Sequence, residues 1–368
     1  MHLILLIAFF SVFATCFFWS CAGDKEGKEG SIFENKPKAR GQIGEIILAI
    51  DSAKWAGPVG DQLKKIFQEE VPGLIRPEPM FSVKRVEPKA MTRILRMATN
   101  LVFVTTFDDK KPGSQSINAQ FAQNLKDKAA EDRNFHMYRA NDEFAKGQEV
   151  IYFFGNNEEE LVANLENNRA RIQNIFRVRE KERLEKLILN RKSGDARAGG
   201  EPLGLNLNLP ASYQIAKAES DFLWLRQPTP NTNRADISLF YHVQNYVSEE
   251  QLKPENIMRM RNNITRQHIF GDPSNRDSFL TLEYEYPEPT FFYTQVAGNY
   301  AIEMRGGWKT NTNSMGGSML GIAFVDQENN KLYYMEGFVY YPNEKHREAI
   351  REIETLLTGT TLLRAAAE

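Results

Sequence analysis

The histidines that follow residue 21 are the first candidates for metal binding or acid–base chemistry. They are His136, His242, His268 and His346. None belongs to a His-x-x-x-His or Glu-x-x-His pair, spacings that place two ligands on one face of a helix. Asp132 lies four residues before His136, and a surface ion pair explains the two better than a ligand pair does. The sequence therefore predicts no zinc site and no cofactor, and it leaves calcium open because calcium needs only oxygen ligands.

Serine nucleophiles and phosphate-binding loops have weak or no counterparts in the chain. The nearest approach to Gly-x-Ser-x-Gly is GGSMLG at residues 316–321, which is one residue too long around Ser318. No Ser-x-x-Lys, Gly-x-x-x-x-Gly-Lys or Gly-x-Gly-x-x-Gly occurs. The 46 Lys and Arg nearly balance the 48 Asp and Glu, so the formal net charge is -2. This balance argues against a nucleic-acid partner.

One stretch combines several groups that could bind a ligand. Residues 305–317 (RGGWKTNTNSMGG) lie between two strong strand patterns. As a binding loop, the stretch would use Trp308 for stacking and Arg305 to bind an anion, with Lys309 and Met315 beside them. As a long hairpin loop, it would instead fold Trp308 back onto the core. The second interpretation is favoured, and the first stays open.

Cys21 stands at a sharp boundary between an apolar and a polar segment. Residues 1–20 are almost wholly apolar, and the chain becomes polar directly after Cys21. A small residue before a cysteine at such a boundary resembles a lipobox. The resemblance implies a signal peptide over residues 1–20, cleavage before Cys21, a lipid on its thiol and an exported lipoprotein on the periplasmic or outer-membrane face. Cys16 is a poorer candidate, because FFW would then stay on the mature protein, and an uncleaved membrane anchor is the alternative.

No cysteine follows Cys21, which excludes disulfides and thiolate metal sites from the rest of the chain. Residues 21–42 are rich in Gly, Lys and Glu and are typical of a tether. Residues 192–204 contain glycines, a proline and few apolar side chains, so they are predicted to be a linker. The linker separates an amino-terminal lobe, residues 43–191, from a carboxy-terminal lobe, residues 205–368.

Strand and helix patterns alternate in the amino-terminal lobe, which favours a layered arrangement. Apolar, β-branched or aromatic runs predict strands at residues 45–51, 80–86, 101–107 and 150–154. Apolar residues at helical spacing predict helices at residues 55–70, 89–99, 121–130 and 157–190. Asn156 or Asn157 can cap the last and longest of these, and three glutamates suit its first turn.

The carboxy-terminal lobe is rich in strand patterns. Strands are expected at residues 205–209, 222–225, 237–242, 279–286, 291–296, 300–304, 319–325 and 331–341. Asn329-Asn330 predicts a hairpin turn between the last two. One helix is expected over residues 254–267, and a final helix is expected between a cap at Asn343 and Gly359. The fold class is therefore α+β, with two mixed α/β lobes of which the second is a largely antiparallel sheet with a carboxy-terminal helix.

Several motifs together resemble a known family. They are the lipobox-like start, the segment from Glu45 to Trp55, and the carboxy-terminal series IEMRGGW (302–308), MGG (315–317) and EGFVY (336–340) before a final helix. This pattern is similar to DUF4837, a lipoprotein family of unknown function from Gram-negative envelopes. The resemblance extends over nearly the whole mature chain. It implies an envelope location and brings no activity and no catalytic residues.

Two functions from different classes fit the sequence. The absence of catalytic motifs favours a non-enzymatic cell-envelope lipoprotein that binds or scaffolds another component. Its partners would be the membrane, reached through the lipid at the amino terminus, and an envelope protein. The alternative is an envelope hydrolase that uses carboxylates or calcium. That alternative requires buried acids that converge in a closed cleft.

Overall fold

The computed structural model describes residues 36–227, 229, 234–272 and 274–364. The predicted signal peptide, Cys21 and most of the predicted tether lie outside the described residues. Within the described part of the chain, no helix is long and apolar enough to cross a membrane.

The amino-terminal lobe is built on a five-stranded, mostly parallel sheet. Its strands are β1 (Glu45–Ala49), β2 (Ser82–Val86), β3 (Asn100–Thr106), β4 (Met137–Asn141) and β5 (Glu149–Gly155). Their order in the sheet is β2-β1-β3-β5-β4, and only β4 runs antiparallel to its neighbour. Strands β1, β3 and β5 are buried on both faces, which explains their near-continuous apolar sequences. The four strands predicted in this lobe are confirmed, and β4, with the polar sequence MYRAN, was not predicted.

Six helices cover this sheet. They are α1 (Ser52–Ala56), α2 (Pro58–Phe67), α3 (Pro112–Asn118), α4 (Gln123–Glu131), α5 (Glu158–Asn167) and α6 (Arg169–Ile188). Asn157 caps α5 as predicted, because its side chain accepts a hydrogen bond from the Glu160 backbone N–H. The predicted single helix over residues 157–190 is divided at Asn168. The side-chain amide of Asn168 donates to the Asn164 carbonyl at 2.9 Å, a local bond that competes with helix continuation.

The helix predicted over residues 89–99 is wrong. The segment contains two 3-10 turns, Pro88–Ala90 and Leu95–Met97. The carbonyl groups of Arg96 and Ala98 accept from the side chain of Gln148 at 2.6 Å each. Ile94 is 76% exposed, so the segment also lacks the buried apolar face that stabilises a short helix.

The carboxy-terminal lobe is built on a nine-stranded antiparallel sheet. Its strands are β7 (Gln214–Ala218), β8 (Phe222–Gln227), β9 (Asp236–Asn245), β10 (Phe270–Asp272), β11 (Asn275–Leu282), β12 (Thr290–Val296), β13 (Asn299–Thr310), β14 (Gly316–Asp326) and β15 (Lys331–Tyr340). Their order is β10-β11-β13-β14-β15-β9-β8-β7, and β12 pairs with the part of β13 that β11 does not reach. A small separate sheet joins β6 (Leu205–Asn206) to β16 (Thr361–Leu362). The α+β fold class and the Asn329-Asn330 turn are confirmed.

Helices pack on both faces of the antiparallel sheet. Helix α8 (Pro254–His268) covers one face, and α9 (Arg347–Thr358) covers the other. A Cβ on Gly337 of β15 would overlap the side chain of Ile353, so glycine is needed for α9 to lie this close to the strand. Helix α9 begins after His346 rather than at the predicted cap Asn343, whose positive φ of 66° places it in a turn.

The predicted linker is a folded segment. Residues 194–200 form helix α7 (Gly194–Gly200), which Ser193 caps, and a 3-10 turn follows at Glu201–Leu203. Ala196 and Leu203 are buried in the core of the carboxy-terminal lobe. The glycines allow this packing, because a Cβ on Gly200 would overlap Leu205 and Leu207. At Gly199 and Gly200 the glycines therefore reflect close approach to neighbouring side chains.

The two lobes contact each other along α9. Arg347 and Arg351 donate to the carbonyl oxygens of Pro79 and Met80 at 2.7 Å each. Arg177 of α6 pairs with Glu354 of α9 at 2.9 Å. In each of these contacts, an arginine of one lobe donates to a carbonyl or carboxylate oxygen of the other lobe.

Candidate functional site

The stretch proposed as a binding loop is mostly strand. Residues 305–310 belong to β13, β14 begins at Gly316, and only residues 311–315 form the turn between them. Side chains alternate between the two faces of a strand. Arg305 and Lys309 therefore point to one face and Trp308 to the other. The structure separates the four proposed residues, and only Trp308 and Met315 line a common cavity.

Trp308 packs inward on the face of the sheet that α8 covers. Its ring is 2% exposed and lies 5.3 Å from the ring of Phe338 between centroids. Its indole N–H donates to the Val339 carbonyl at 3.0 Å. A Cβ on Gly317, directly opposite Trp308 in the β13–β14 register, would overlap the same carbonyl oxygen. The Trp308 and Gly317 positions thus depend on each other, and each residue belongs to one of the family-like motifs.

Helix α8 is shorter than the face it covers. Its 15 residues extend over roughly 22 Å, and a cavity lies at each end. The cavity at the carboxy-terminal end, called here the indole cavity, has a volume of about 560 Å³, within the usual range for small-molecule sites. Its walls are mainly aromatic and aliphatic. They include Trp224, Ile269, Phe270, Leu280, Trp308, Met315, Phe338 and Tyr340.

Among the described residues that line the indole cavity, those with charged or hydroxyl side chains include Arg226, Asp236 and Ser238. Arg226 and Asp236 form an ion pair at 2.6 Å at its rim, and Arg226 lies 5.9 Å from the ring centre of Trp224. The indole nitrogen of Trp224 is buried and has no hydrogen-bond partner. A buried donor without a partner is costly, so a bound acceptor that reaches this N–H through a small shift of the wall would satisfy it. The cavity therefore suits an apolar or aromatic molecule that carries one hydrogen-bond acceptor.

The comparisons with known proteins address the two lobes separately. Residues 198–359 match the family model of DUF4837. DUF4837 is a domain of unknown function, and residues 39–188 match a second one, DUF8532. The resemblance to DUF4837 is therefore confirmed for the carboxy-terminal lobe, but its expected extent over nearly the whole mature chain is wrong. No curated protein matches the chain.

Three solved structures share weak likeness with parts of the chain. LpqN of Mycobacterium tuberculosis, described as involved in cell envelope biogenesis, is 7% identical, with 43% of this chain and 82% of LpqN covered, at a TM-score of 0.28. A Bacteroides thetaiotaomicron protein is 12% identical, with 45% and 47% covered, at 0.20. The human StarD13 lipid transfer and protein localization domain is 8% identical, with 39% and 87% covered, at 0.21. Likenesses this weak assign no function to the chain.

A second cavity lies at the amino-terminal end of α8 in the carboxy-terminal lobe. It has a volume of about 730 Å³ and is called here the tyrosine cavity, after Tyr246, Tyr293 and Tyr300 in its lining. Tyr293 and Tyr300 are 80% and 55% exposed, and their ring centres are 5.5 Å apart. Glu249, Glu250 and Lys253 form part of the rim. The lining of this cavity is more polar than that of the indole cavity.

Arg305 and Lys309, on the opposite face of β13, are paired with acids of the same protein. Arg305 contacts Glu303 at 2.5 Å and Glu354 at 3.0 Å, in a cleft of about 420 Å³ between the lobes. Burial opposes the charge of Arg305, but Glu354 and Glu303 outweigh it and raise the pKa of the guanidinium. Lys309 pairs with Glu283 at 3.1 Å. Arg305 is therefore already neutralised where the sequence suggested that it binds an external anion.

The structure brings Ser318 and His346 together, although the sequence separates them by 28 residues. The Ser318 hydroxyl lies 3.1 Å from His346 Nδ1, and Nε2 lies 3.0 Å from the Tyr341 carbonyl. The pair resembles a nucleophile and its base, but Ser318 is fully buried and His346 is 2% exposed. Ser318 Oγ also accepts from the Ile75 N–H at 3.1 Å. The pair is thus a sealed contact between β14, the α9 start and the amino-terminal lobe.

The hydrogen bonds around His346 make folding stability depend on pH. Nδ1 also accepts from the Ser318 backbone N–H at 3.3 Å, so a proton on Nδ1 would face this N–H donor. Burial lowers the pKa of His346, and Glu78 and Arg76 act in opposite directions on it. The unfolded histidine titrates near 6.5. Stability from this site is therefore complete above about pH 6.5 and is lost as the pH falls towards the lowered folded pKa.

We expect the unfolding free energy to decrease between pH 7.5 and pH 5.5, with a shallower decrease in His346→Asn. Asparagine can keep an acceptor near the Nδ1 position but does not titrate. One proton changes the slope by at most about 1.4 kcal/mol per pH unit. Urea unfolding at three pH values measures both slopes. Equal slopes would show that His346 is not a source of the pH dependence.

Acidic side chains do not converge in a way that supports hydrolysis. Within the described part of the chain, no group of three His, Cys, Asp or Glu side chains could hold a metal ion. The most buried acids are Glu149, Glu180 and Glu336, and each pairs with a different arginine: Arg139, Arg183 and Arg261. In the cleft between the lobes, burial would raise the pKa of Glu354, but Arg305 and Arg177 outweigh it and lower that pKa. A general acid needs the opposite shift.

α/β proteins often bind ligands at the carboxyl ends of their parallel strands. In this protein, side chains of the same lobe occupy that position. Lys54 is 6% exposed and contacts Asp109 at 3.1 Å and Thr106 Oγ1 at 3.0 Å. The carboxylate of Asp51 accepts from the Ala53 backbone N–H. These contacts satisfy the polar groups at the strand ends.

Proposed function

We propose that the protein is a non-enzymatic binding protein of the cell envelope that holds a small apolar or aromatic ligand in the indole cavity. The observation that carries the proposal is the mainly aromatic and aliphatic lining of this cavity, which includes Trp224 with its buried, unpartnered indole N–H. A cavity of this size and composition gains affinity from excluded water, and a single donor fixes the orientation of the ligand. An envelope protein partner remains part of the proposal and would receive or deliver that ligand.

We expect 2-acetylnaphthalene to bind in the indole cavity more tightly than 2-isopropylnaphthalene. The two probes have similar size and apolar area, but only the ketone can accept from Trp224. The net value of one neutral hydrogen bond is about 0.5–1.5 kcal/mol, so the expected preference is up to about tenfold. Titration calorimetry with the full chain in mild detergent measures both affinities against detergent alone.

Two variants separate this site from general hydrophobic binding. Trp224→Phe keeps the apolar wall and removes the donor, so the preference for the ketone should disappear. Tyr300→Ala alters the tyrosine cavity and should leave both affinities unchanged. Absence of binding by either probe, or an unchanged ketone preference in Trp224→Phe, would refute the proposal.

The hydrolase alternative has less support. Its strongest candidate residues, Ser318 and His346, are sealed from solvent. In the cleft between the lobes, Arg305 pairs with Glu303 and Glu354, and Arg177 pairs with Glu354. Among the described residues that line the indole cavity, the one acid is Asp236, and it is paired with Arg226. Binding without turnover fits these environments better than acid–base catalysis does.

The proposed envelope location rests on the sequence around Cys21. We expect the mature protein to begin at Cys21 with a diacylglycerol thioether and an acylated amine, because residues 1–20 form an apolar segment that ends at a small residue before cysteine. Several acyl chains would hold the protein stably at the membrane. Mass spectrometry of the amino-terminal peptide tests this directly. An unmodified Cys21, or retention of residues 1–20, would refute lipid anchoring.

A further inference from the structure

Strand β12 is an exposed sheet edge with no protective feature. Among the described residues it pairs only with β13. Its sequence, TFFYTQV, contains no charge and no proline. Phe292 and Tyr293, on opposite faces of the strand, are 40% and 80% exposed. An uncharged, aromatic edge of seven residues is the kind of edge that pairs with another chain.

The other sheet edges among the described residues differ from β12 in this respect. Strand β7 carries Lys217 and an irregular register beside it. Strand β2 carries Lys84 and Arg85, and β4 carries Arg139. Strand β10 has only three residues. Charges, irregular register and short length are the usual means of preventing edge pairing, and β12 has none of them.

The geometry of the β12–β13 hairpin determines which main-chain groups of β12 do not bond to β13. Ala297 and Gly298 have φ values of 52° and 78°, so they form a two-residue turn of the primed type, and Val296 faces Asn299 across it. The pair that closes such a turn exchanges both hydrogen bonds, and bonded and non-bonded pairs then alternate. Phe291, Tyr293 and Gln295 therefore direct their backbone N–H and C=O groups away from β13.

We propose that β12 pairs antiparallel with β12 of a second copy of this chain, about a twofold axis at Tyr293. The three residues with free main-chain groups are spaced symmetrically about Tyr293, so Tyr293 faces its own equivalent and Phe291 faces Gln295 of the partner copy. The pairing forms up to about six main-chain hydrogen bonds. Neither strand brings a charge that would repel the other.

A second copy fits this edge because each copy covers what the other exposes. The twofold places the two Tyr293 side chains together on the α8 face, next to the tyrosine cavity, and sets Phe292 against Thr294 on the α9 face. Phe292 and Tyr293 line both the tyrosine cavity and the cleft between the lobes. Open space therefore flanks the strand on both faces and accommodates the aromatic side chains of the partner copy.

Engineered cysteines test the register as well as the association. In the proposed pairing, the variant Tyr293→Cys places the two cysteines of the dimer opposite each other. Their Cα atoms would be about 5.5 Å apart, which suits a disulfide. The matched variant Thr294→Cys would place the two Cα atoms roughly 8 Å apart, from two residues of rise and one strand spacing, which is too far. The full chain is oxidised in membranes, and peptide mass spectrometry identifies the joined residue. The wild-type chain, with Cys16 and Cys21 alone, is the background control.

The expected result is a disulfide through residue 293 at least tenfold more abundant than one through residue 294. A second variant, Tyr293→Pro, removes one outward N–H without removing a bond to β13, and proline is tolerated at such edge positions. It should reduce the dimer fraction in sedimentation experiments, while circular dichroism stays unchanged. Equal cross-linking at both positions, no cross-link at residue 293, or adducts only with other proteins would each overturn the proposal.

Discussion

Glu336→Ala is expected to lower the unfolding free energy by about 3–5 kcal/mol, because it leaves the charge of Arg261 buried without a partner. Both side chains are fully buried. Arg261 Nη2 lies 2.8 Å from Glu336 Oε1, and Nε lies 3.0 Å from Oε2. The Tyr334 hydroxyl donates to Oε2 at 2.6 Å. Burial opposes the charge of Arg261, but Glu336 outweighs it and raises the pKa of the guanidinium. Urea unfolding measures the loss.

A double substitution distinguishes a lost partner from a lost side chain. Arg261→Met with Glu336→Leu replaces the ion pair by apolar groups of similar volume, a change that is often neutral or stabilising in protein cores. We expect the double variant to be more stable than Glu336→Ala and to lie within about 1–3 kcal/mol of wild type, because the buried Tyr334 hydroxyl loses its acceptor. A double variant as unstable as Glu336→Ala, or a single variant that costs less than 1 kcal/mol, would contradict this account.

The same ion pair determines where the cavities lie. Arg261 is in the middle of α8, and Glu336 is in β15 near the centre of the sheet. The pair therefore holds α8 across the sheet and leaves an uncovered region at each of its ends. Glu336→Ala should consequently weaken probe binding in the indole cavity in addition to lowering stability.

The sequence predicted the strands better than it predicted the site. Runs such as LVFVTTF and EGFVY are rich in β-branched and aromatic residues, which favour strands in any context. Strands β3 and β15 form at those positions. Contacts that depend on distant partners leave no local pattern. Glu336 is 75 residues from Arg261 in the sequence. The Gln148 side chain donates to the carbonyl oxygens of Arg96 and Ala98, which precede it by about 50 residues.

The candidate site illustrates the same limit. Trp308 and Met315 were identified because they stand out in a short stretch, and they do line a cavity. Arg305 was grouped with them by proximity in sequence, although a strand places it on the other face. Trp224 was not identified, because its importance lies in an indole N–H left without a partner. The sequence alone cannot show which of the two indole N–H groups has a hydrogen-bond partner.

The two tryptophans of the indole cavity should therefore respond differently to truncation. Trp308→Ala is expected to cost about 3–5 kcal/mol of unfolding free energy, because it removes a large buried side chain from the core. It also leaves the Val339 carbonyl without its 3.0 Å donor. Trp224 is only partly buried and its N–H makes no bond, so Trp224→Ala should cost less than half as much. Thermal and urea unfolding measure both.

For ligand affinity, the substitution of Trp224 should matter more than that of Trp308, which is the reverse of their order for stability. Trp224→Ala removes the donor and a wall of the cavity in a protein that remains folded, so its main effect is on binding of 2-acetylnaphthalene. Trp308→Phe serves as the matched control for the second tryptophan, since it keeps an aromatic ring against Phe338 and loses the hydrogen bond to Val339. That variant should lose about 1 kcal/mol of stability and retain the ketone preference. If Trp224→Ala were as destabilising as Trp308→Ala and left probe affinity unchanged, Trp224 would be a core residue and the indole cavity would not be a binding site.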